Sequence, residues 1–307
     1  MNRKTRLALW LAAAAAVAGI SFWAWVQYRR SAIGTPQAML RQLPVHDSVV
    51  LYVDFGALRR LGIMKLLAGS PLEKEYLEFV RNTGFDYTTD LDAAMAAFRP
   101  AGEFLVLRGR FDWEKLRAYT VSHGGACEGA LCRMSGSAPD RKISFQPLRR
   151  NVMAMAVAMD DAAVLQILGA APGGGPGWPL PSDPVWVALP GAALRAPAEL
   201  PSGTRIFARA LDSAQSAVIS LGPEGKHYAA RMVVQCRSAE EANNLAGQLY
   251  NLTQLLVAMI QREKHQPNPR DLSGVLTSGS FRTEGDRVHG YWPVSTELLQ
   301  ALFSGTA

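Results

Sequence analysis

The chain has 307 residues, 32 Lys and Arg against 26 Asp and Glu, a formal charge of +6, and a pI of about 9.4. An apolar fraction of 49% excludes intrinsic disorder, and only three cysteines exclude a disulfide-dense miniature scaffold. The length suits one large domain or two ordinary ones, with a sizeable core.

The charge is concentrated at one end. Residues 1–30 hold Arg3, Lys4, Arg6, Arg29 and Arg30 and no acid, which is +5 of the +6 and leaves +1 for residues 31–307. A remainder so close to neutral argues against a polyanion groove, so no nucleic-acid partner is expected. Between these charges, Leu7 to Val26 form twenty residues without a charge. As a helix this run is about 30 Å long, the thickness of a bilayer's hydrocarbon core. Residues 1–30 therefore read as a signal-anchor, with residues 7–26 in the lipid bilayer. Trp23, Trp25, Tyr28, Arg29 and Arg30 are its membrane-interface anchors. Ala16-Val17-Ala18 fits a cleavage pattern, but the apolar run continues eight residues past it, which favours an uncleaved span. The basic excess ahead of the span puts the N-terminus in the cytoplasm. The expected location is the bacterial cytoplasmic membrane, single-pass, with the C-terminal domain extracytoplasmic.

Residues 31–46, with Gly34, Pro36 and Pro44, read as a tether. Residues 47–170 form a first α+β half, 171–182 a Gly/Pro linker, and 183–307 a second α+β half. The halves look related at a fixed offset of 136: Asp47 falls on Asp183, Val49 on Val185, and Ala57-Leu58-Arg59 on Ala193-Leu194-Arg195. The middle sections need insertions, and the pattern suggests an ancient duplication.

In the first half, Val49–Phe55 reads as a strand, and Ser70-Pro71-Leu72-Glu73 as a helix start. Ala93–Phe98 reads as a helix capped by Asp90 or Asp92. Phe104–Phe111 is a strand, and Asp112 caps a helix that Gly124-Gly125 ends. Ile143–Leu148 and Val152–Met159 form a hairpin. In the second half, Ala217–Leu221 pairs with His227–Cys236, and Val275–Arg282 with Arg287–Trp292. The longest helix covers residues 238–264, with Ala242, Leu245, Leu249, Leu252, Leu256 and Met259 at spacings of three and four. That stripe suits packing on its own sheet; a homodimer seam is the alternative. The expected fold is α+β, with largely antiparallel sheets and helices on one face.

Candidate chemistry is sparse. Cys127 and Cys132 are close enough to form a disulfide outside the cytoplasm. His123 would add a third metal ligand, but there is no fourth and no C-x2-C spacing. Cys236 falls on an apolar strand face and reads as a core thiol. Asp86, Asp90 and Asp92 lack the ligand run and distant Glu of a calcium loop. There is no G-x-S-x-G elbow, H-E-x-x-H, P-loop or G-x-G-x-x-G, so no catalytic, cofactor-binding or metal residue is assigned and no cofactor is expected.

The stretches TGFDYTTDLD (83–92), FLVLRGRFDWEKL (104–116) and DLSGVLTSGSF (271–281) make the chain similar to a group of bacterial proteins of uncharacterised activity. These carry one N-terminal membrane span and a duplicated α+β extracytoplasmic region. The resemblance covers most of the chain and implies location and architecture, but no activity. The expected function is a membrane-anchored binding or interaction protein, non-catalytic, with an envelope protein as partner. The alternatives are an envelope hydrolase with a site built from sequence-distant residues, and a subunit of a membrane complex.

Overall fold

The computed structural model describes residues 34–64, 74–136, 138, 140–168, 178–195, 209–225, 227–262, 266–268 and 271–304. The expected span at 7–26, its interface residues Trp23, Trp25, Tyr28, Arg29 and Arg30, the helix start at 70–73 and residues 171–177 of the linker lie outside the described residues. Among the described residues, no helix is long and apolar enough to cross a membrane.

The architecture is α+β, built on one antiparallel sheet of twelve strands. At its centre, β1 (Val49–Val53) pairs antiparallel with β8 (Val185–Pro190), with Leu51 facing Val187. Those are two residues that the offset of 136 superposes. Outward from β1 come β2 (Leu91–Arg99), β3 (Gly102–Gly109), β7 (Val152–Ala158), β6 (Lys142–Arg149), β5 (Leu131–Ser135) and β4 (Ala126–Glu128). Outward from β8 come β9 (Ser216–Glu224), β10 (His227–Gln235), β12 (Arg287–Val294) and β11 (Ser280–Glu284). The strand order is alike in both arms, apart from the added hairpin β4–β5. The two segments on either side of the linker thus share one continuous sheet.

Ten helices complete the described elements: α1 (Pro36–Leu40), α2 (Phe55–Arg60), α3 (Lys74–Thr83), α4 (Tyr87–Asp90), α5 (Trp113–Ser122), α6 (Leu165–Leu168), α7 (Gly191–Leu194), α8 (Ala239–Arg262), α9 (Leu272–Thr277) and α10 (Thr296–Ser304). On one face, α8 buries Ala242, Leu245 and Leu249 against Met232, Val234 and Val288. Leu116 of α5 packs there too, against Phe145 and Met153. On the opposite face, Met39 and Leu40 of α1, with Val164 and Ile167 at α6, cover Tyr52, Met95, Phe104, Val106 and Trp186.

One row of cross-strand partners on that second face runs Ala154, Val106, Met95, Tyr52, Trp186, then Ser220, Arg231, Tyr291. It is apolar across the first arm and polar across the second. Helices cover both faces of the first arm; over the polar part of the second arm, no described helix packs on this face.

Several expectations are corrected. Ala93–Phe98 is not a helix but most of β2, where Ala93, Met95 and Ala97 are fully buried. Pairing on both sides, by β1 and β3, overrides alanine's helical preference. Asp86, rather than Asp90 or Asp92, is the N-cap, and it caps the short α4. Val275–Arg282 is divided: Asp271 caps α9 by accepting the Ser273 N–H at 2.8 Å, and the strand begins only at Ser280. Met39, Leu40 and Leu43, placed in the tether, belong to the core. Thr35 caps α1 by accepting the Ala38 N–H at 3.3 Å, and Met39, Leu40 and Leu43 are 0%, 3% and 3% exposed. Trp178 and Leu180, placed in the linker, pack against the same core. Helices on a single face was the expectation; the first arm carries them on both.

Candidate functional site

The ends of β1 and β8 meet at a cleft of about 710 Å³, lined among others by Gly34, Tyr52, Asp54, Arg60, Arg108 and Asp183. Local rules place each group. Asp54 ends β1 by capping α2, its Oδ1 accepting the Ala57 N–H at 2.7 Å. Its own N–H donates to the Pro184 carbonyl at 2.7 Å, tying the two strands. Arg108 donates to the Gly34 carbonyl at 2.5 Å. Arg60, at the exposed end of α2, has no carboxylate within ion-pair distance among the described residues, and neither has Arg108.

Tyr52 forms the floor. It is 4% exposed and stacks on Trp186 with ring centroids 5.4 Å apart. Burial pushes its phenol up to about 12, with the Asp54 carboxylate adding to the effect and Arg108 opposing it. The hydroxyl therefore stays protonated, and no described residue hydrogen-bonds to it.

From the cleft a polar network crosses the open face of the second arm. Asp183 accepts from Ser220 Oγ at 2.6 Å and from Arg231 Nη1 at 3.2 Å. Arg231 also reaches Glu224 at 3.2 Å, and the Tyr291 hydroxyl donates to Glu224. That hydroxyl lowers the Glu224 carboxyl, with Arg231 helping. Asp183 fits because position 222 is glycine: a Cβ there would lie 2.1 Å from Asp183 Oδ1. Farther along the same face, Arg287 Nε donates to Gln235 at 2.9 Å, and His289 Nε2 lies 3.5 Å from Glu284.

A second cleft of about 460 Å³ lies beside α5. Phe85 and Phe111 stack at its wall, 5.3 Å apart, with Trp113, Arg110, Lys115 and Arg150 around them. The expected carboxylate cluster borders it and is consumed internally. Asp86 accepts from the Tyr76 hydroxyl and from Thr88. Asp90 accepts the Asp86 N–H at 2.9 Å and Arg110 Nη2 at 2.8 Å. Asp92 pairs with Arg59 at 2.8 Å. Among the described residues, no group of three or more His, Cys, Asp or Glu is placed to hold a metal.

Cys127 and Cys132 face each other across β4–β5 and form a disulfide, Cα atoms 4.0 Å apart. The thiols of the His123 grouping are thus used up, and His123 instead stacks on Tyr119. Cys236 is a buried free thiol, its pKa pushed up by burial. Of the described histidines, none lines either cleft.

The sequence alone assigned no functional role to Tyr52, Arg60, Asp183, Arg231, Glu224 or Tyr291. A signal was present for two of them: Arg231 and Tyr291 interrupt the apolar alternation of their strands with polar groups on one face. Asp183, Ser220 and Glu224 gain meaning only from strand pairing.

No protein-family model matches the chain, and no curated protein does. The chain aligns with solved structures of TP0453. Crystal form I aligns with a TM-score of 0.49 and 12% identity, over 87% of this chain and 97% of that one. Form III aligns with 0.48 and 12%, over the same shares. Form IV aligns with 0.44 and 10%, over 89% and 99%.

Proposed function

We propose that the chain is a membrane-anchored extracytoplasmic binding protein, single-pass in the cytoplasmic membrane, whose two arms arose by duplication. It acts by holding a partner rather than by catalysis. The observation that carries this reading is the polar face of the second arm. Arg231 and His289, with side chains 34% and 24% exposed, stand with Tyr291 where the first arm has a covered apolar core. Fixed hydrogen-bonding groups on a rigid sheet suit an envelope protein with a polar surface. The hydrolase alternative needs a nucleophile beside a base. Ser182 in the first cleft has no histidine with it among the described residues. For the membrane-complex alternative, the span itself would make the contacts.

A homodimer through residues 238–264 would use the outer side of α8, where Leu255 and Met259 are 51% and 54% exposed. Site-specific photocrosslinking in native membranes tests the main reading. A photoreactive residue at Val233, on the polar face, is expected to capture a recurring protein, and one at Leu255 is not. Adducts from Leu255 to a second copy alone would replace the binding face with the homodimer. Adducts from neither site, with hydrolysis abolished by Ser182→Ala, would favour the enzyme.

A further inference from the structure

We propose that the cleft between Arg60 and Arg108 seats the phosphate of an anionic lipid headgroup from the bilayer in which the chain is anchored. This rests on the anchored reading and adds a ligand and a docking geometry to it. Connectivity sets the distance. Gly34 is part of the cleft wall, its carbonyl held by Arg108 at 2.5 Å. Arg30, at the end of the apolar run, is four residues earlier. Extended backbone covers at most about 3.6 Å per residue, so Gly34 lies within roughly 14 Å of Arg30. A span over 7–26 puts Arg30 at the headgroups. On the anchored reading, the Gly34 edge of the cleft faces the bilayer.

The chemistry fits that address. Asp183 is held by Arg231 at 3.2 Å, which it shares with Glu224, and Asp54 directs an oxygen to the Ala57 N–H at 2.7 Å. Arg60 and Arg108 are the cations of the cleft lining, neither with a carboxylate in ion-pair distance among the described residues. Guanidinium groups match phosphate oxygens in pairs. Tyr52, 4% exposed, lines the cleft with a protonated hydroxyl that no described residue bonds. A phosphate oxygen would accept from it. A volume of about 710 Å³ is within the range of ligand pockets.

The test uses the full-length chain in nanodiscs of phosphatidylcholine with phosphatidylglycerol, with a photoreactive residue at Gln37, another residue of the cleft lining. Intact mass then reads lipid adducts. A phosphatidylglycerol adduct is expected. It should fall roughly tenfold or more in Arg60→Glu combined with Arg108→Gln, since each removes a charge-assisted hydrogen bond. Gln at 108 is too short to keep the bond to the Gly34 carbonyl, whereas Arg60 has no ion pair to lose. Arg60→Glu alone, with an unchanged unfolding midpoint, separates binding from folding. An adduct of unchanged yield in the double variant overturns the proposal. Full competition by soluble glycerol phosphate overturns the lipid as its source. Extraction of the chain by carbonate overturns the anchored reading, and the lipid assignment with it.

Discussion

At Gly222 the sheet leaves room for one carboxylate and nothing more. A methyl group there would meet Asp183 Oδ1 at 2.1 Å and Cβ at 3.0 Å. Gly222→Ala should therefore cost about 1–3 kcal/mol in denaturant unfolding, as overpacking does; an unchanged midpoint would mean that Asp183 is not held as described. Acid sensitivity has an equally local origin. At Asp90, burial favours the neutral form, but the Asp86 N–H and the Arg110 guanidinium outweigh it and lower the pKa. Asp271 is lowered first by the Ser273 hydroxyl. A carboxyl with a depressed native pKa adds stability that is full above its unfolded value of about 3.9 and is lost as pH falls through the native one. Stability should thus be flat near neutrality and decline below about pH 4. Asp90→Asn should flatten part of that slope in unfolding measured against pH. At this scale the disulfide was legible, because Cys127 and Cys132 are near each other in sequence. The Asp183 network was not, because Ser220, Arg231, Glu224 and Tyr291 come from three other strands and only pairing joins them.

Elements with local signals were the readable ones. Asp112 and the glycines after Ser122 bound α5, and the β6–β7 hairpin follows its alternation. Helix α8 is capped at its start: Ser238 Oγ accepts the Glu241 N–H at 3.1 Å, and Glu241 accepts the Arg237 N–H at 3.1 Å. Ser238→Ala should cost about 1 kcal/mol, visible as a lower unfolding midpoint. Strand β2 was not readable. Its Asp-Ala-Ala-Met-Ala-Ala run has helical propensity, and only burial between two strands makes it extended. The same holds for α1, whose Met39 and Leu40 look like tether until the sheet supplies a surface for them. The β4–β5 hairpin depends on its crosslink. Replacing both cysteines by serine removes a short closed loop and should cost about 2 kcal/mol. Reductant should lower wild-type stability by a similar amount and leave the double variant unchanged.

Across the whole molecule, the β1–β8 pair decides cooperativity. Trp186 and Ala188, from the second arm, are buried in one core with Met95, Phe104 and Val106 from the first. The molecule should unfold in a single transition, with tryptophan fluorescence and far-ultraviolet dichroism coinciding. Trp186→Ala should lower stability by about 3–5 kcal/mol, and two separated transitions would mean that the arms fold independently. The offset of 136 superposes Leu51 on Val187, but an alignment does not reveal that the two face each other across β1 and β8. Joining the arms at their inner strands also settles the fate of the sheet's edges. Among the described strands, only β4 and β11 are outer ones. The first has three residues and is crosslinked to its neighbour; the second is mostly exposed and presents Arg282 and Glu284. Short, charged or stapled borders are poor templates for a further strand. A twelve-stranded sheet of this breadth would otherwise invite fibrous growth, and here it is closed off at both ends.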